Sequence, residues 1–267
     1  MNRLFLLPLL FVLAAPVHAE DEPAAPADTA KKAGPAAPVM DDLSKKLLTT
    51  WDEKMTYRLS ELGVKTATCK AKVDLQSQMG EMTVNAAYKW DGKRGSLTWD
   101  NAMVGAQLAQ QGMGVDTFDG HFKTDGLAKG MAGGTFKATD ADGTVTIAVT
   151  GSKDGYKTIT FKDGVLQRFV MSQPVMGKVT DITLSFTYQK IGEKYLVSGW
   201  TVALEIPGMG PFQETTTFTI GKVGEHHVWT SAKAASAMGT RATTFEWKLN
   251  PPAEEAPAKA PPADGAK

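Results

Sequence analysis

The chain has 267 residues, and its 29 basic and 29 acidic side chains leave no formal net charge. This balance does not indicate a nucleic-acid partner, which normally requires a basic domain or stripe. A single cysteine, Cys69, excludes an internal disulfide, so the fold must be stabilised by packing. Cys69 alternates with polar residues in the same way as its apolar neighbours, and we interpret it as a small buried residue.

The N-terminus has the pattern of a secretory signal peptide. Arg3 supplies a positive charge, residues 4–15 form an apolar run too short to span a bilayer, and residues 17–19 (Val-His-Ala) form a small-x-small cleavage site. We therefore expect a signal peptide over residues 1–19 and a mature protein that is periplasmic or secreted. A retained membrane anchor is the less favoured alternative. The sequence contains no second long apolar segment, so no membrane span is expected after cleavage.

Two segments are dominated by Ala, Pro and charged residues, namely 20–40 and 250–267. Such compositions bury too little apolar surface to offset the entropy of ordering, so both are predicted to be disordered. Each can be a tether through an envelope layer or a solubilising tail. Between them, residues 41–249 have the length of one domain.

The strongest helical pattern follows the first of these segments. Asp41 or Asp42 can cap a helix that ends at Gly63, with apolar residues recurring every three or four positions. Such a one-sided stripe must pack against another element, and a sheet is the large partner available. The stripe consists of Leu43, Leu47, Trp51, Met55, Leu59 and Leu62.

From Thr66 the apolar period changes to two, which predicts strands over 67–75, 82–90 and 95–99. The next region, 101–134, breaks this pattern with a short helix that Asp100 or Asn101 can cap and that carries Met103, Val104 and Leu108. A second segment over 125–134 contains four glycines, and the residues between the two segments, 117–123, have the pattern of a short strand. We interpret the region as a mobile apolar flap over one mouth of the sheet. An ordinary surface insertion is an equal alternative.

The rest of the domain reads as an antiparallel meander. Asp142-Gly143 and Asp163-Gly164 are hairpin turn pairs flanked by alternating apolar residues. With the earlier strands, the chain contains about ten or eleven strands and one substantial helix. The predicted fold class is α+β, mostly β: a curled antiparallel half-barrel covered by the N-terminal helix and the short helical flap. The strands are predicted at 135–139, 144–149, 156–161, 165–171, 179–188, 195–206, 212–220, 226–231 and 242–249.

Motifs of enzymes are missing from the sequence. It has no Gly-x-Ser-x-Gly elbow, zinc-binding pattern, phosphate loop or dinucleotide fingerprint, so we expect neither catalysis nor a cofactor. His226 and His227 with His121 could bind a metal in principle, but neighbours on a strand point to opposite faces, so no metal site is predicted. Asp140-Ala141-Asp142-Gly143 begins like a calcium loop but lacks the later acidic ligand, and a hairpin turn is expected there.

The order of these elements, with residues 161–166 (Phe-Lys-Asp-Gly-Val-Leu) and the run 182–188, resembles the lipoprotein-localisation (Lol) carrier superfamily of outer-membrane lipoprotein-sorting proteins. The resemblance covers most of 43–249. It implies a half-barrel of antiparallel strands closed by helices, around a cavity that shields the acyl chains of lipoproteins or other lipids. No functional residue of the family is carried over to this sequence.

These patterns favour an exported soluble carrier or binding protein for an apolar ligand, with a lipid or an acylated protein as its partner. The alternative is an envelope protein-interaction or sensory module with a fully packed sheet, whose surface loops bind a protein. In that case the ligand-binding residues predicted below are simply part of the apolar core. The predicted ligand-binding residues are Trp51, Met55 and Leu59 from the helix, Met103 and Leu108 from the flap, and Phe186, Trp200, Val202 and Phe218 from the sheet.

Overall fold

The computed structural model of the protein describes residues 39–77, 80–109, 113–122, 134–152, 155–175 and 177–251. The predicted signal peptide, most of the two Ala/Pro-rich segments and all but the last residue of the second flap segment at 125–134 lie outside these ranges.

One curled, unclosed sheet of 13 strands makes up most of the described chain, and it confirms the predicted mostly-β fold class. The count exceeds the expected ten or eleven in part because a two-residue strand precedes the helix. The strands are β1 (Val39–Met40), β2 (Ala67–Ser77), β3 (Gly80–Trp90), β4 (Gly95–Trp99), β5 (Thr135–Ala141), β6 (Thr144–Thr150), β7 (Tyr156–Lys162), β8 (Val165–Val175), β9 (Lys178–Ile191), β10 (Lys194–Ile206), β11 (Gly210–Val223), β12 (His226–Ser236) and β13 (Gly239–Leu249).

The spatial order is β1-β5-β6-β7-β8-β9-β10-β11-β12-β13-β2-β3-β4. Strands β5 to β13 follow one another as antiparallel neighbours, as the meander pattern predicts. Two pairings connect distant parts of the chain: β1 runs parallel to β5, and β13 pairs antiparallel with β2 from Gly239 opposite Ser77 to Leu249 opposite Ala67. The last strand therefore closes onto the first long one.

The two Asp-Gly hairpins form where the sequence predicts them. Asp163 and Gly164 have φ of 51° and 78°, and Asp142 and Gly143 have 52° and 75°. Positive φ at both central positions matches the right-handed twist of the flanking strands, which is why this residue pair fixes the register of β7 with β8 and of β5 with β6.

The long helix expected up to Gly63 is wrong in its second half. Helix α1 covers Asp42–Thr50 and runs into one wider π-helical turn at Trp51–Met55, and a 3₁₀ turn then covers Leu59–Leu62. Between the turns the backbone is extended, with Thr56 at ψ 131°.

The cause of this break is pairing with the sheet. Thr56 forms a parallel bridge with Tyr195, and the Tyr57 N–H donates to the Tyr195 carbonyl at 2.9 Å. Because these backbone groups pair with Tyr195 at the start of β10, they cannot form the next hydrogen bonds of a helix. The apolar spacing alone does not reveal this competition.

The flap region contains two short helices, α2 (Ala102–Leu108) and α3 (Val115–Asp119). The Asn101 side chain caps α2 by accepting from the Val104 N–H at 3.2 Å, as predicted. The short strand expected at 117–123 is wrong, since α3 occupies its start. Phe118 and Phe122, four residues apart, both lie against the Tyr88 ring, with centroids 4.9 Å and 6.2 Å away.

The inner face of the sheet carries two apolar cores. The flap-side core lies among β2, β3 and β11–β13 under the 3₁₀ turn, α2 and α3, and the helix-side core lies among β5–β11 under α1. Trp200 contacts both cores. The largest fully buried side chains of the two are Tyr88, Phe118, Phe122, Leu59 and Leu108 on the flap side and Phe136, Phe161, Leu48, Ile147, Ile159 and Ile206 on the helix side.

Candidate ligand cavity

A cavity of about 310 Å³ lies where the two cores meet, beneath the break between α1 and the 3₁₀ turn. Its walls come from the π-helical turn, the extended link at 56–57, the end of α3 and strands β8, β9, β10 and β12. Most of the wall is aromatic, from Trp51, Phe169, Phe186, Tyr188, Tyr195 and Trp229.

The aromatic rings on the helix side contact one another in a continuous series. The Trp51 ring is 5.1 Å from Tyr188 at 71° and 6.1 Å from Tyr195. Phe186 lies 5.1 Å from Phe169 and 6.1 Å from Tyr188. Rings in such edge and offset contacts support each other, so this side of the cavity is apolar and held by its neighbours.

On the flap side, two tryptophans are fixed by their polar ends. The Trp229 indole N–H donates to the Val197 carbonyl at 2.7 Å, and the Trp247 indole N–H donates to the Trp229 carbonyl at 2.9 Å. Because each N–H is satisfied by backbone, the ring faces are free to form the wall.

His121 completes this wall immediately after α3. Its ring centroid lies 4.2 Å from Trp229 and 5.2 Å from Trp247, both in edge-to-face geometry. The side chain is fully buried, and neither ring nitrogen has a hydrogen-bond partner. Burial lowers the pKa of this imidazole to about 3, so it is neutral at physiological pH.

Residues 51–62, which contain the π-helical turn and the 3₁₀ turn and are called the arm below, are joined to the flap across the cavity. The Leu59 N–H donates to the His121 carbonyl at 2.7 Å, and the Ser60 hydroxyl donates to the Phe122 carbonyl. The Tyr57 hydroxyl in turn accepts from the backbone N–H of His227. These polar contacts, together with the burial of Leu59 in the flap-side core, hold the covering elements in place.

Two of the nine predicted ligand-binding residues, Trp51 and Phe186, line the cavity. Met55 and Val202 are half-buried and pack against the helix-side core, and Trp200 lies between the cores with its ring 4.7 Å from Phe218. Their part in ligand binding stays a prediction.

The other four predicted residues lie away from the cavity wall. Leu59, Leu108 and Phe218 are buried in the flap-side core, where Phe218 stacks on Trp229 at 4.0 Å. Met103 is 76% exposed because it lies on the side of α2 that faces away from the core, opposite buried Leu108. These side chains reach a ligand in the cavity only if the covering elements rearrange.

Sequence parity missed several lining residues because two β-bulges change which side chains face inward. The register of β10 with β9 shifts between Val197 and Gly199, and that of β11 with β12 shifts between Thr219 and Ile220, opposite Trp229. Each bulge inserts an unpaired residue, so parity read from one end of the strand is inverted at the other. Of the lining residues not predicted for the site, Tyr195 and Trp229 lie beside these bulges, whereas Tyr188 has the same parity as Phe186 and His121 lies outside the strands.

Charged groups are scarce on the inner face. Arg241 and Glu214 form a buried ion pair at 3.5 Å between β13 and β11, and burial raises the pKa of the Glu214 carboxyl. Within the described ranges, no group of three or more His, Cys, Asp or Glu side chains is arranged to hold a metal ion. No helix in the same part of the chain has the length and apolarity to cross a membrane.

No protein-family model and no curated protein matches the chain. Two similar solved structures are an outer membrane lipoprotein-sorting protein domain from Vibrio parahaemolyticus and a DUF1329 family protein from Desulfovibrio piger ATCC 29098. Each is 8% identical with a TM-score of 0.29; the matches cover 77% of this chain and 90% of the first, and 80% of this chain and 94% of the second. The first bears the name of the superfamily that the sequence resembles. The likeness concerns the general fold alone.

Proposed function

We propose that the protein is an exported, soluble carrier or binding protein for an apolar ligand of the acyl-chain class, taken from a lipid or an acylated protein. The observation that carries this proposal is the aromatic cavity between the inner face of the sheet and its two covering elements. The space is partly open to solvent and its lining is largely aromatic and aliphatic, with a few polar groups, which is the form that small-molecule sites take.

The size of the cavity suits a single chain. Its volume of about 310 Å³ is at the lower end of the range for small-molecule sites. An apolar cavity of about 150 Å³ accommodates benzene, so this one has room for about twelve carbon atoms of similar packing. Each methylene transferred from water contributes about 0.8 kcal/mol, and part of this total offsets the cost of association.

The covering elements provide a route for exchange. The 3₁₀ turn and the residues after α3 meet through the Leu59–His121 and Ser60–Phe122 hydrogen bonds and through Leu59 in the flap-side core, and these contacts must break for the turn to separate from the flap above the cavity. Contacts of this kind open at a lower free energy than the sheet unfolds. Loading and release by local opening fit a carrier, which must bind and deliver in turn.

The proposed setting follows from the N-terminal pattern, which predicts export to the periplasm or the exterior. In that setting the partner is a lipid or the lipid-modified end of an acylated protein. Its apolar chain needs shielding while it crosses an aqueous compartment.

Native mass spectrometry with lipid extraction tests the proposal, using the mature protein purified from its own envelope fraction. We expect phospholipid or acylated protein to co-purify at near-stoichiometric amount. After delipidation, we expect uptake of added 1-dodecanol. A clean ligand-free mass with no uptake of 1-dodecanol would contradict the carrier and favour a protein-interaction module.

A further inference from the structure

His121 is the least satisfied polar side chain of the cavity wall. It is 1% exposed, and both of its ring nitrogens lack a hydrogen-bond partner. Buried polar groups in native proteins are nearly always paired, so an unpaired one calls for an explanation. Placement between two tryptophan rings makes a neutral, apolar residue the better choice for stability alone.

The neighbouring polar groups of the wall are already committed. The Thr56 hydroxyl donates to the Trp51 carbonyl at 3.0 Å, the Tyr57 hydroxyl accepts from the His227 N–H, and the Trp229 N–H donates to a carbonyl of β10. The hydroxyls of Tyr188 and Tyr195, by contrast, make no hydrogen bond to another described residue. The unpaired hydrogen-bonding capacity of the wall therefore lies at His121, which is fully buried, and at the Tyr188 and Tyr195 hydroxyls of the same cavity.

We propose that His121 is the polar contact of the cavity, and that the ligand carries a neutral hydrogen-bonding group, such as an ester or amide carbonyl or a hydroxyl, on its apolar chain. This inference rests on the proposed function and names the chemistry of the ligand. The torsion about the Cβ–Cγ bond of histidine is broad, so rotation of the ring turns a nitrogen toward the cavity.

A neutral group fits this wall better than a charged one. A neutral imidazole offers one N–H donor and one lone pair, which suits a carbonyl or a hydroxyl. The low pKa of the buried ring agrees with this state. A carboxylate in the cavity would face aromatic rings and the half-buried Asp52, and the described residues of the wall include no lysine or arginine to pair with it. The ester and amide linkages of acylated lipids and proteins have the required chemistry.

The test compares two probes of similar size, 1-octanol and n-octane, each titrated at matched fractional saturation. Tryptophan fluorescence reports binding, because Trp51 and Trp229 line the cavity. For His121→Phe we expect 1-octanol to bind about five-fold more weakly, the effect of one lost hydrogen bond, and n-octane to bind within two-fold of the wild type. The thermal midpoint of the unliganded variant should be equal or higher. His226→Phe, which changes a histidine outside the cavity, should leave both affinities unchanged.

Equal weakening of both probes, or of neither, would overturn the role of His121. A third probe keeps the test independent of the variant's folding: the wild type should bind octanoate at pH 8 at least about ten-fold more weakly than 1-octanol, and equal affinity would overturn the neutral ligand group. If the wild type binds none of the three probes, the proposed function itself fails, which is a distinct outcome.

Discussion

Tyr88 donates its hydroxyl hydrogen to the carboxylate of Asp119 at 2.7 Å, and this bond joins β3 to the last residue of α3. The Gly95 N–H donates to the other carboxylate oxygen at 3.3 Å. A Cβ at position 95 would lie 1.9 Å from Asp119 Oδ1, so glycine is what allows the carboxylate to approach. One half-buried carboxylate thus positions the helix that precedes His121.

Tyr88→Phe should lower the free energy of unfolding by about 1–2 kcal/mol, because burial already raises the pKa of Asp119 and the change removes its closest donor. Urea denaturation measures the effect. Tyr195→Phe is the matched control, since its hydroxyl makes no hydrogen bond to another described residue, and it should stay within about 0.5 kcal/mol of the wild type. Equal stability losses in the two variants would show that the Tyr88–Asp119 bond does not fasten α3.

Trp51→Leu and Phe218→Leu separate the cavity wall from the core. Both side chains are buried aromatics, 6% exposed, but only Trp51 is among the residues that line the cavity. We expect each variant to lose about 1–3 kcal/mol of stability. The affinity for 1-dodecanol, measured by calorimetry, should fall more than about ten-fold only in Trp51→Leu, the loss of roughly 1.4 kcal/mol of contact. Equal affinities in the two variants would place the ligand elsewhere.

Ser60→Ala should speed ligand release. The change removes one of the two hydrogen bonds between the arm and the flap while leaving the cavity wall intact. Loss of about 1 kcal/mol from the closed state predicts a dissociation rate roughly five-fold higher in stopped-flow measurements, with little change in the fluorescence of the bound state. Ser96→Ala, on the exposed face of β4, is the control. An unchanged release rate would mean that exchange does not pass between the arm and the flap.

Acidification should destabilise the wild type more than His121→Phe. The pKa of His121 is about 3 in the folded protein against 6.5 for the free side chain. The unfolded chain therefore binds a proton at a higher pH than the folded one, and stability falls as the pH drops from about 6.5 toward 3. The stabilities of the two proteins should diverge by up to about 1.4 kcal/mol per pH unit below pH 6. Urea denaturation at pH 7, 6, 5 and 4 measures this, and parallel curves would contradict it.

The local part of the fold was predictable because its signals are local. The residue pairs Asp163-Gly164 and Asp142-Gly143 each predict a hairpin turn, and Asn101 predicts the start of α2. The breaks at Thr56 and at 117–123 were not predictable, because sheet pairing and aromatic packing from distant strands decide them. Tertiary contacts overrode the apolar period in both places.

The cavity was predictable only in part for the same reason. Trp51 lies on the apolar stripe of the predicted helix and Phe186 on the inward face of a predicted strand, and both line the wall. His121 lies in the segment for which the sequence wrongly predicts a strand, and Trp229 precedes a bulge that the alternation of β12 does not show. The position of a cavity depends on where two covering elements meet, which is a property of the assembled chain.

The pairing of β13 with β2 has a consequence for the order of folding. Strand β13 lies between β12 and β2, so without it the sheet separates into one piece holding β2–β4 and another holding the remaining strands. Phe245 and Trp247 of this strand also belong to the flap-side core. Contacts between segments so far apart in sequence form late, and the core cannot close before β13 is synthesised. For an exported protein, which the N-terminal pattern predicts, this order would keep the sheet in two pieces until its last strand has been made.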